Sequence, residues 1–187
     1  MKINNAIISC YDKTGLKEFV SKLVEYNPSI KIFSSSGTFR ELESVAKDNL
    51  FEVAEYTGFP EMPGGLVKTL HPKVHAGLLA DLSDEEHKKY LEENNIEAFD
   101  LVVVNLYPFE KVASEGADLE TARQNIDIGG VSLIEAGAKN FKRVTVVTDP
   151  SDYDKVLQES ERLDLAKKAF AHLAHYFNEI NNYFSKQ

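Results

Sequence analysis

The sequence predicts an α/β protein in which an open, mostly parallel sheet is sandwiched between layers of helices, as in Rossmann-type three-layer folds. Short apolar runs alternate along the chain with segments whose apolar residues recur at three- and four-residue spacing. Strands separated by helices in this way are typical of βαβ units, whose strands run parallel and are covered on both faces. The length of 187 residues suits one such unit, and we expect a single domain over residues 1–187.

The first half of the chain contains three predicted strands. Each is a short apolar run, and the first two are followed by segments with apolar residues at helical spacing. We predict strands at 5–10, 31–34 and 51–56, and helices at 15–26 and 38–46.

The second half begins after an irregular stretch at 57–77 and a charged helix near 84–94. The continuously apolar run at 100–109, which Pro108 stops, is the clearest strand of the chain. Beyond it the pattern predicts helices at 119–126 and 131–140, a last strand at 143–149, and a further helix opened by Pro150.

The last segment predicts a long amphipathic helix over about 161–184. Its apolar residues fall at 163, 166, 170, 173, 177, 180 and 184. This face could dock on its own domain or form the seam of a homodimer. Three heptads are few for a coiled coil, which favours docking, and the dimer is kept as the second interpretation.

Charge and composition exclude several classes of protein. A net charge of −9 argues against binding to nucleic acid or to an anionic membrane, both of which need an excess of Lys and Arg on one face. No apolar run approaches the roughly 20 residues that span a bilayer, and the N-terminal residues lack the pattern of a signal peptide. The single cysteine, Cys10, rules out an internal disulfide. We expect a cytoplasmic protein that binds a small molecule.

Two predicted strand-to-helix turns carry hydroxyls and small residues at the edge of the sheet where ligands collect. They contain Ser9, Lys13 and Thr14 in "SCYDKTG", and Ser35, Ser36, Gly37 and Thr38 in "SSSGT". Hydroxyls, free backbone N–H groups and a lysine suit a phosphate group. The alternative is helix capping, by Asp12 or Thr14 in the first turn and by a Thr38–Glu41 capping box in the second. The pattern leaves these two interpretations about balanced.

The segment "VKTLHPKVH" combines lysines and histidines without clear periodicity. His71 and His75 are four residues apart, as two zinc ligands on a helix would be. Pro72, however, pushes His71 out of the helical region of backbone space. We therefore expect no metal site there and interpret the histidines as structural groups.

Polar groups also occur in two apolar segments further along the chain. Asn105 and Tyr107 lie near the end of the strand at 100–109, where sites form in parallel sheets. Asp127 and Lys139 lie among apolar or small residues, and a charge that enters a core must be paired or functional. On spacing alone, a structural ion pair and a catalytic role are equally consistent with them.

Taken together, these segments resemble one family: the inosine monophosphate (IMP) cyclohydrolase domain of the bifunctional purine-biosynthesis enzyme, which has the methylglyoxal-synthase-like fold. The segments that carry the resemblance are "SCYDKTGL", "SSSGT", "YTGFPEMPGGLVKTLHPKVHAGLLA", "DLVVVNLYPFE", "NIDIGGVSLIEAGAKN", "VTVVTDPSDY" and "LAKKAFAHLAHY". They follow the family's order over nearly the whole chain. The family continues into an AICAR transformylase domain after its closing helix, so we expect here a stand-alone or excised cyclohydrolase domain without the transformylase.

The resemblance implies a reaction and a set of site residues. Formamidoimidazole carboxamide ribotide (FAICAR) would close to IMP with loss of water, with no cofactor and no metal. By position the resemblance assigns catalysis to Lys68, Tyr107, Asp127 and Lys139, and contacts to the nucleotide phosphate to Ser9, Lys13, Ser35, Gly37, Thr38 and Thr69. We add Thr14, Ser36, Asn105 and Gly129 to the expected substrate-binding residues.

Three positions depart from the family's usual pattern. Leu66 replaces an arginine that is expected on the phosphate, Ser36 replaces a glycine, and Phe141 replaces a common histidine. None of them belongs to the expected catalytic set.

Two other functions fit the same fold. One is a methylglyoxal-synthase-like lyase, whose acidic base and histidine arrangement is not found in this sequence. The other is a non-catalytic regulatory module that binds a phosphorylated ligand, which would keep the phosphate turns and lose the catalytic residues. The expected partners are a purine nucleotide, a second copy of the chain and a separate AICAR transformylase.

Overall fold

A computed structural model describes residues 2–63 and 66–187 of the chain. Its five strands form one sheet in the order β3-β2-β1-β4-β5, and every neighbouring pair is parallel. The predicted open parallel α/β sheet is therefore confirmed. The strands are β1 (Asn5–Cys10), β2 (Lys31–Ser34), β3 (Leu50–Glu52), β4 (Leu101–Asn105) and β5 (Thr145–Val147).

Helices connect the strands and cover the sheet. The α-helices are α1 (Leu16–Tyr26), α2 (Ser36–Ala46), α3 (Val53–Thr57), α4 (Pro72–Leu79), α5 (Glu85–Glu93), α6 (Phe109–Ser114), α7 (Leu119–Gln124), α8 (Gly129–Lys139) and α9 (Arg162–Phe184). Short 3₁₀ segments occur at Lys47–Asn49, Pro150–Lys155 and Glu159–Glu161. No helix within the described ranges has the length and apolar character needed to cross a bilayer.

Both faces of the sheet are buried, because side chains alternate between them along each strand. On β4, Val102 and Val104 pack in the core beneath α8 and α9, whereas Leu101 and Val103 pack in the core beneath α1 and α2. This arrangement explains the continuous apolar run of β4 and places the sheet as the middle of three layers.

Two predictions around the middle of the chain are wrong. The third strand ends at Glu52, and residues 53–57 form α3, where the Tyr56 ring packs against Phe33 at 4.6 Å between centroids. The stretch expected to be irregular to residue 77 contains α4, which begins at Pro72. Proline suits the first turn of a helix, because backbone N–H groups there have no acceptor within the helix and proline has no N–H to leave unpaired.

The strand predicted at 100–109 is also too long. It pairs only as far as Asn105, and Pro108 then precedes α6, a helix that the sequence did not predict. The apolar residues Leu106 and Phe109 are buried in the core without belonging to the strand. Because they continue the apolar run of β4, the predicted strand extends beyond the residues that pair with β1.

The closing helix docks on its own domain, as the favoured interpretation predicts. Leu165, Ala166, Ala169, Leu173 and Tyr176 are buried along one side of α9. A second line of apolar residues at seven-residue spacing is exposed on the same helix, at Leu163, Phe170, Phe177 and Phe184. The predicted stripe is therefore split between the core and the surface.

Candidate active site

A cavity of 240 Å³ lies at the carboxyl ends of β1 and β4, beside the N-termini of α2 and α8. Eleven of the predicted site residues line it: Ser9, Lys13, Ser35, Gly37, Thr38, Lys68, Thr69, Asn105, Tyr107, Asp127 and Gly129. These residues come from five separate segments of the chain. Three of the segments lie at the carboxyl ends of β1, β2 and β4, which are neighbours in the parallel sheet and end at the same edge. The other two segments precede α4 and begin α8.

We call the turns at 9–15 and 34–38 the first and second anion turns, after the ligand expected there. The second turn leaves the start of α2 without a side-chain cap. Ser35 precedes α2 without a side-chain cap, and Thr38, inside the helix, accepts a hydrogen bond from the Cys10 N–H at 3.0 Å. The Thr38–Glu41 capping box is therefore wrong. The Ser9 and Ser35 hydroxyls are hydrogen-bonded at 2.8 Å. Gly37 faces open space, so the uncapped N–H groups of α2 can approach a ligand.

The first anion turn is held by its own side chains. The Asp12 carboxylate accepts hydrogen bonds from the Thr14 N–H and hydroxyl at 2.9 and 2.6 Å, which keeps Thr14 outside the cavity wall. These bonds lower the pKa of Asp12. Gly15, with a φ of 66°, precedes α1, so the capping of this helix by Asp12 or Thr14 is also wrong. Of the charged groups in this turn, Lys13 lines the cavity.

Asn105 lines the cavity, but its amide is engaged with the first turn. Its side-chain oxygen accepts a hydrogen bond from the Asp12 N–H at 2.7 Å, and its NH₂ donates to the Asp12 carbonyl at 2.8 Å. This reciprocal pair fixes the turn that carries Lys13 to the end of β4.

Ser36 does not line the cavity, and its partner is a carboxylate that was not predicted from the sequence. Its hydroxyl donates a hydrogen bond to Glu61 at 2.6 Å, and the other Glu61 oxygen lies 3.9 Å from the Lys68 ammonium. Both charged side chains are about three-quarters buried. Glu61 therefore links the start of α2 to the lysine of the predicted catalytic set.

The segment around Lys68 is anchored by α4. His71 lies in extended backbone, and its Nδ1 accepts a hydrogen bond from the Lys73 N–H at 3.1 Å, which caps α4. Its position before the helix confirms the effect expected of Pro72 on His71. Leu66 lines the cavity and is 66% exposed. Gly64 and Gly65, which begin this segment in the sequence, lie outside the described residues.

Asp127 is the carboxylate of the cavity. Its Oδ1 accepts a hydrogen bond from the Gly130 N–H at 2.7 Å, and the backbone N–H of Tyr107 also favours its charged form. Burial nevertheless dominates and raises the pKa of Asp127, while the positive charge of Lys68 opposes that rise. A carboxylate with a raised pKa is a stronger base than an exposed aspartate.

Two glycines allow the start of α8 to approach this carboxylate. A Cβ on Gly130 would lie 2.7 Å from Asp127 Oδ2 and from the Leu106 side chain, and a Cβ on Gly129 would lie 2.9 Å from the Thr69 hydroxyl. Neither position has room for a side chain without displacing a site residue. The sequence pattern "DIGG" is thus explained by close approach.

Two tyrosine rings and a thiol complete the wall. Tyr107 contacts Tyr11 edge to face at 5.5 Å, and burial together with the charge of Asp127 raises its pKa. The phenol therefore stays neutral and able to donate a hydrogen bond at neutral pH. Burial raises the pKa of Cys10 to about 12, so this thiol is protonated and is not a nucleophile.

The structure does not bring Lys139 to the cavity of its own chain. It is the last residue of α8, whereas Gly129 at the cavity is the first, and ten residues of helix span about 15 Å. The Lys139 side chain is exposed. Its predicted place beside Lys68 is therefore not supported by the geometry.

Several residues at or near the cavity were not predicted from the sequence. Tyr11, Gln124 and Ile126 line it, and Glu61 and Tyr176 support residues that do. Glu61 lies in the quoted segment "PEMPGG" and was detectable as a carboxylate near Lys68. Tyr176 is 49 residues from Asp127, and nothing in its helical periodicity indicated this contact.

Comparisons with known proteins identify the fold and the family of this chain. A family model described as "MGS-like domain" matches residues 15–132, and one described as "AICARFT/IMPCHase bienzyme" matches residues 137–187. The crystal structure of ForH superposes with a TM-score of 0.80 at 27% sequence identity, over 98% of this chain and 100% of that one.

The curated relatives of this chain include bifunctional purine biosynthesis proteins. The bifunctional purine biosynthesis protein PurH of Prochlorococcus marinus (strain MIT 9301) is 47% identical over 97% of this chain and 36% of that protein. PurH of Thermoanaerobacter sp. (strain X514) is 48% identical over 95% of this chain and 36% of that protein. The chain thus spans about a third of the length of these relatives. The resemblance predicted from the quoted segments is confirmed: the chain belongs to the MGS-like domain family and is a relative of the bifunctional PurH proteins of purine biosynthesis.

Proposed function

We propose that this protein is an IMP cyclohydrolase, which closes FAICAR to IMP with loss of water. The observation that carries the proposal is the meeting of Asp127, Lys68 and Tyr107 in one cavity with the hydroxyls and N–H groups of an anion site. The names of the PurH relatives and of the bienzyme family model support a substrate from purine biosynthesis.

The first chemical step joins two atoms of the substrate. The carboxamide nitrogen attacks the formyl carbon, a C–N bond forms, and the formyl oxygen takes up negative charge. Asp127, with its raised pKa, accepts a proton from the attacking nitrogen. Lys68 supplies the positive charge that stabilises the oxyanion, and the neutral phenol of Tyr107 is a second hydrogen-bond donor.

The second step removes water and forms the aromatic ring. The former formyl oxygen leaves as water, having gained one proton that originates from the carboxamide nitrogen and one from the formamido nitrogen. Breaking the C–O bond and losing the formamido proton leaves a C=N bond in the new ring. We assign the return of protons to the leaving oxygen to Lys68 and protonated Asp127, which line the same cavity.

We assign the ribotide phosphate to the two anion turns. Lys13, the Ser9 and Ser35 hydroxyls and the uncapped start of α2 supply charge and donors on one side of the cavity. Such contacts hold the substrate in its ground state and transition state alike, so they set affinity more than turnover.

The test is incubation of the folded protein with FAICAR and chromatographic identification of IMP. Formation of IMP, together with its loss in an Asp127→Asn variant, would support the proposal. If the protein binds IMP or FAICAR but forms no product, the non-catalytic regulatory module is the better description.

We also propose a homodimer, because α9 leaves Leu163, Phe170, Phe177 and Phe184 exposed at seven-residue spacing. Light scattering at micromolar concentration is expected to give twice the 21.0 kDa mass of the chain. A monomeric mass would exclude this assembly.

A further inference from the structure

Tyr176 of the closing helix reaches the turn that carries Asp127. Its side-chain oxygen accepts a hydrogen bond from the Asp127 N–H at 2.8 Å, and its hydroxyl proton points to the Asn125 carbonyl at 3.4 Å. One side chain therefore binds the backbone on both sides of Ile126. Tyr176 itself is only 6% exposed.

Packing holds the Tyr176 ring in this position. The ring contacts Phe109 edge to face at 6.2 Å, and both side chains belong to the core on the α8 and α9 side of the sheet. Burial raises the pKa of the phenol, so it remains protonated and can donate and accept at once.

Tyr176 contacts the backbone N–H of Asp127 and not its carboxylate. The Asp127 carboxylate accepts a hydrogen bond from the Gly130 N–H at 2.7 Å, and the Asp127 backbone N–H donates one to the Tyr176 hydroxyl. Together with the Tyr107 N–H, these two bonds restrict where the carboxylate lies relative to Lys68 and Tyr107. A buried N–H that loses its partner must find another or shift, which moves the residue that carries it.

We propose that Tyr176 is a positioning residue for the ring closure: through the Asp127 N–H it holds the carboxylate in the geometry that accepts the substrate proton. It touches no substrate. The kinetic part of this inference rests on the proposed cyclohydrolase function, whereas the structural part does not.

The chain provides a matched control on the same helix. Tyr183, seven residues after Tyr176, also packs against Phe109, and its hydroxyl donates a hydrogen bond to the Ala117 carbonyl at 2.7 Å. Tyr176→Phe and Tyr183→Phe each remove one phenol oxygen that ties α9 to a loop. Only the first of them changes a contact to the turn that carries Asp127.

The experiment compares steady-state kinetics with FAICAR and amide hydrogen exchange in the two variants. In Tyr176→Phe we expect kcat to fall by about tenfold or more, since small misplacements of reacting groups are costly, with KM within about twofold of wild type. Exchange of the Asp127 and Gly130 amides should speed up by about tenfold or more. In Tyr183→Phe, both the kinetics and these two amides should stay as in wild type.

Several outcomes overturn the inference. Wild-type kcat in Tyr176→Phe, or an equal loss in Tyr183→Phe, would show that Tyr176 contributes only to stability. If Tyr176→Phe does not fold, the wild-type protein decides: its Asp127 amide must be protected from exchange, and exchange as fast as in an exposed loop contradicts the contact. If wild type forms no IMP, the proposed function fails, and the amide exchange alone tests Tyr176.

Discussion

The hydroxyl oxygens of Ser9 and Ser35 lie 2.8 Å apart, at the carboxyl ends of neighbouring parallel strands. This hydrogen bond joins the two anion turns into one wall of the cavity, next to the uncapped start of α2. The phosphate assignment depends on this wall, and substitutions at Lys13 and Leu66 test it.

Lys13→Met should weaken substrate binding more than turnover. Loss of one charge-assisted hydrogen bond costs roughly 1.5–3 kcal/mol, so we expect KM to rise by about tenfold or more while kcat changes little. Steady-state kinetics with FAICAR measure both constants. Lys17→Met, which removes a lysine of α1 paired with Glu41 at 3.0 Å, is the control and should leave both constants unchanged. A large fall in kcat with unchanged KM would place Lys13 in the chemistry instead.

Leu66→Arg should tighten the binding of IMP. Leu66 lines the cavity, whereas Arg40, the nearest candidate to replace the family's arginine, is exposed on α2 and outside the cavity wall. An added arginine–phosphate bond is expected to lower the Kd by about tenfold or more, as measured by calorimetry. Val67→Arg adds the same charge beside the cavity without lining it and should have little effect. Equal tightening by both variants would indicate a general charge effect.

Asp127→Asn should remove one pH-dependent contribution to stability, the one that the buried Asp127 carboxyl makes. Because burial raises the pKa of folded Asp127, wild type has its full stability below the unfolded pKa and loses some as pH rises through the folded pKa. The variant lacks this loss. Its Tm relative to wild type should therefore become more favourable from about pH 3 to about pH 7, as measured by calorimetry.

Asp118→Asn is the comparison of opposite sign. Hydrogen bonds from Thr121 lower the pKa of Asp118, which caps α7, so its contribution is present above the unfolded pKa and is lost in acid. The Tm of this variant relative to wild type should become less favourable over the same rise in pH. A parallel trend in the two variants would contradict the assigned burial of Asp127.

Lys139→Met should leave kcat within about twofold of wild type, because the residue lies about 15 Å along α8 from the cavity. Lys68→Met, measured beside it, should lose most of its activity. A loss in Lys139→Met of the size expected for an oxyanion donor, about 10²–10³ in rate, would show that this lysine acts in a cavity other than that of its own chain.

The sequence was sufficient for the sheet and for most of the cavity. Apolar periodicity located β1 and β2 at their observed bounds and the long α9 within one residue of its start. The length of the edge strand β3 was overestimated. Val53 and Tyr56 belong to α3 and pack against the core from that helix, so their apolar character does not indicate strand pairing. Local patterns record burial, and burial alone does not distinguish a strand from a short helix.

The residues that support the cavity-lining side chains could not be predicted from local patterns of apolar residues. Glu61 and Tyr176 act through contacts with Ser36, Lys68 and the Asp127 backbone, and those contacts exist only once the chain is folded. The expected catalytic role of Lys139 stays a prediction that the distance along α8 does not support within one chain. A motif shared with a family located it near Asp127 in sequence, but the length of α8 separates the two in space.

The most direct test of the account is the rate of IMP formation by Lys68→Met at saturating FAICAR, with IMP affinity measured on the same preparation. If Lys68 stabilises the oxyanion of the ring closure, the rate should fall by about 10²–10³. The Kd for IMP should stay within about threefold of wild type, since a group that acts on the oxyanion strengthens binding of the transition state and not of the ground state. An unchanged rate would contradict the assignment of this cavity as the site of ring closure.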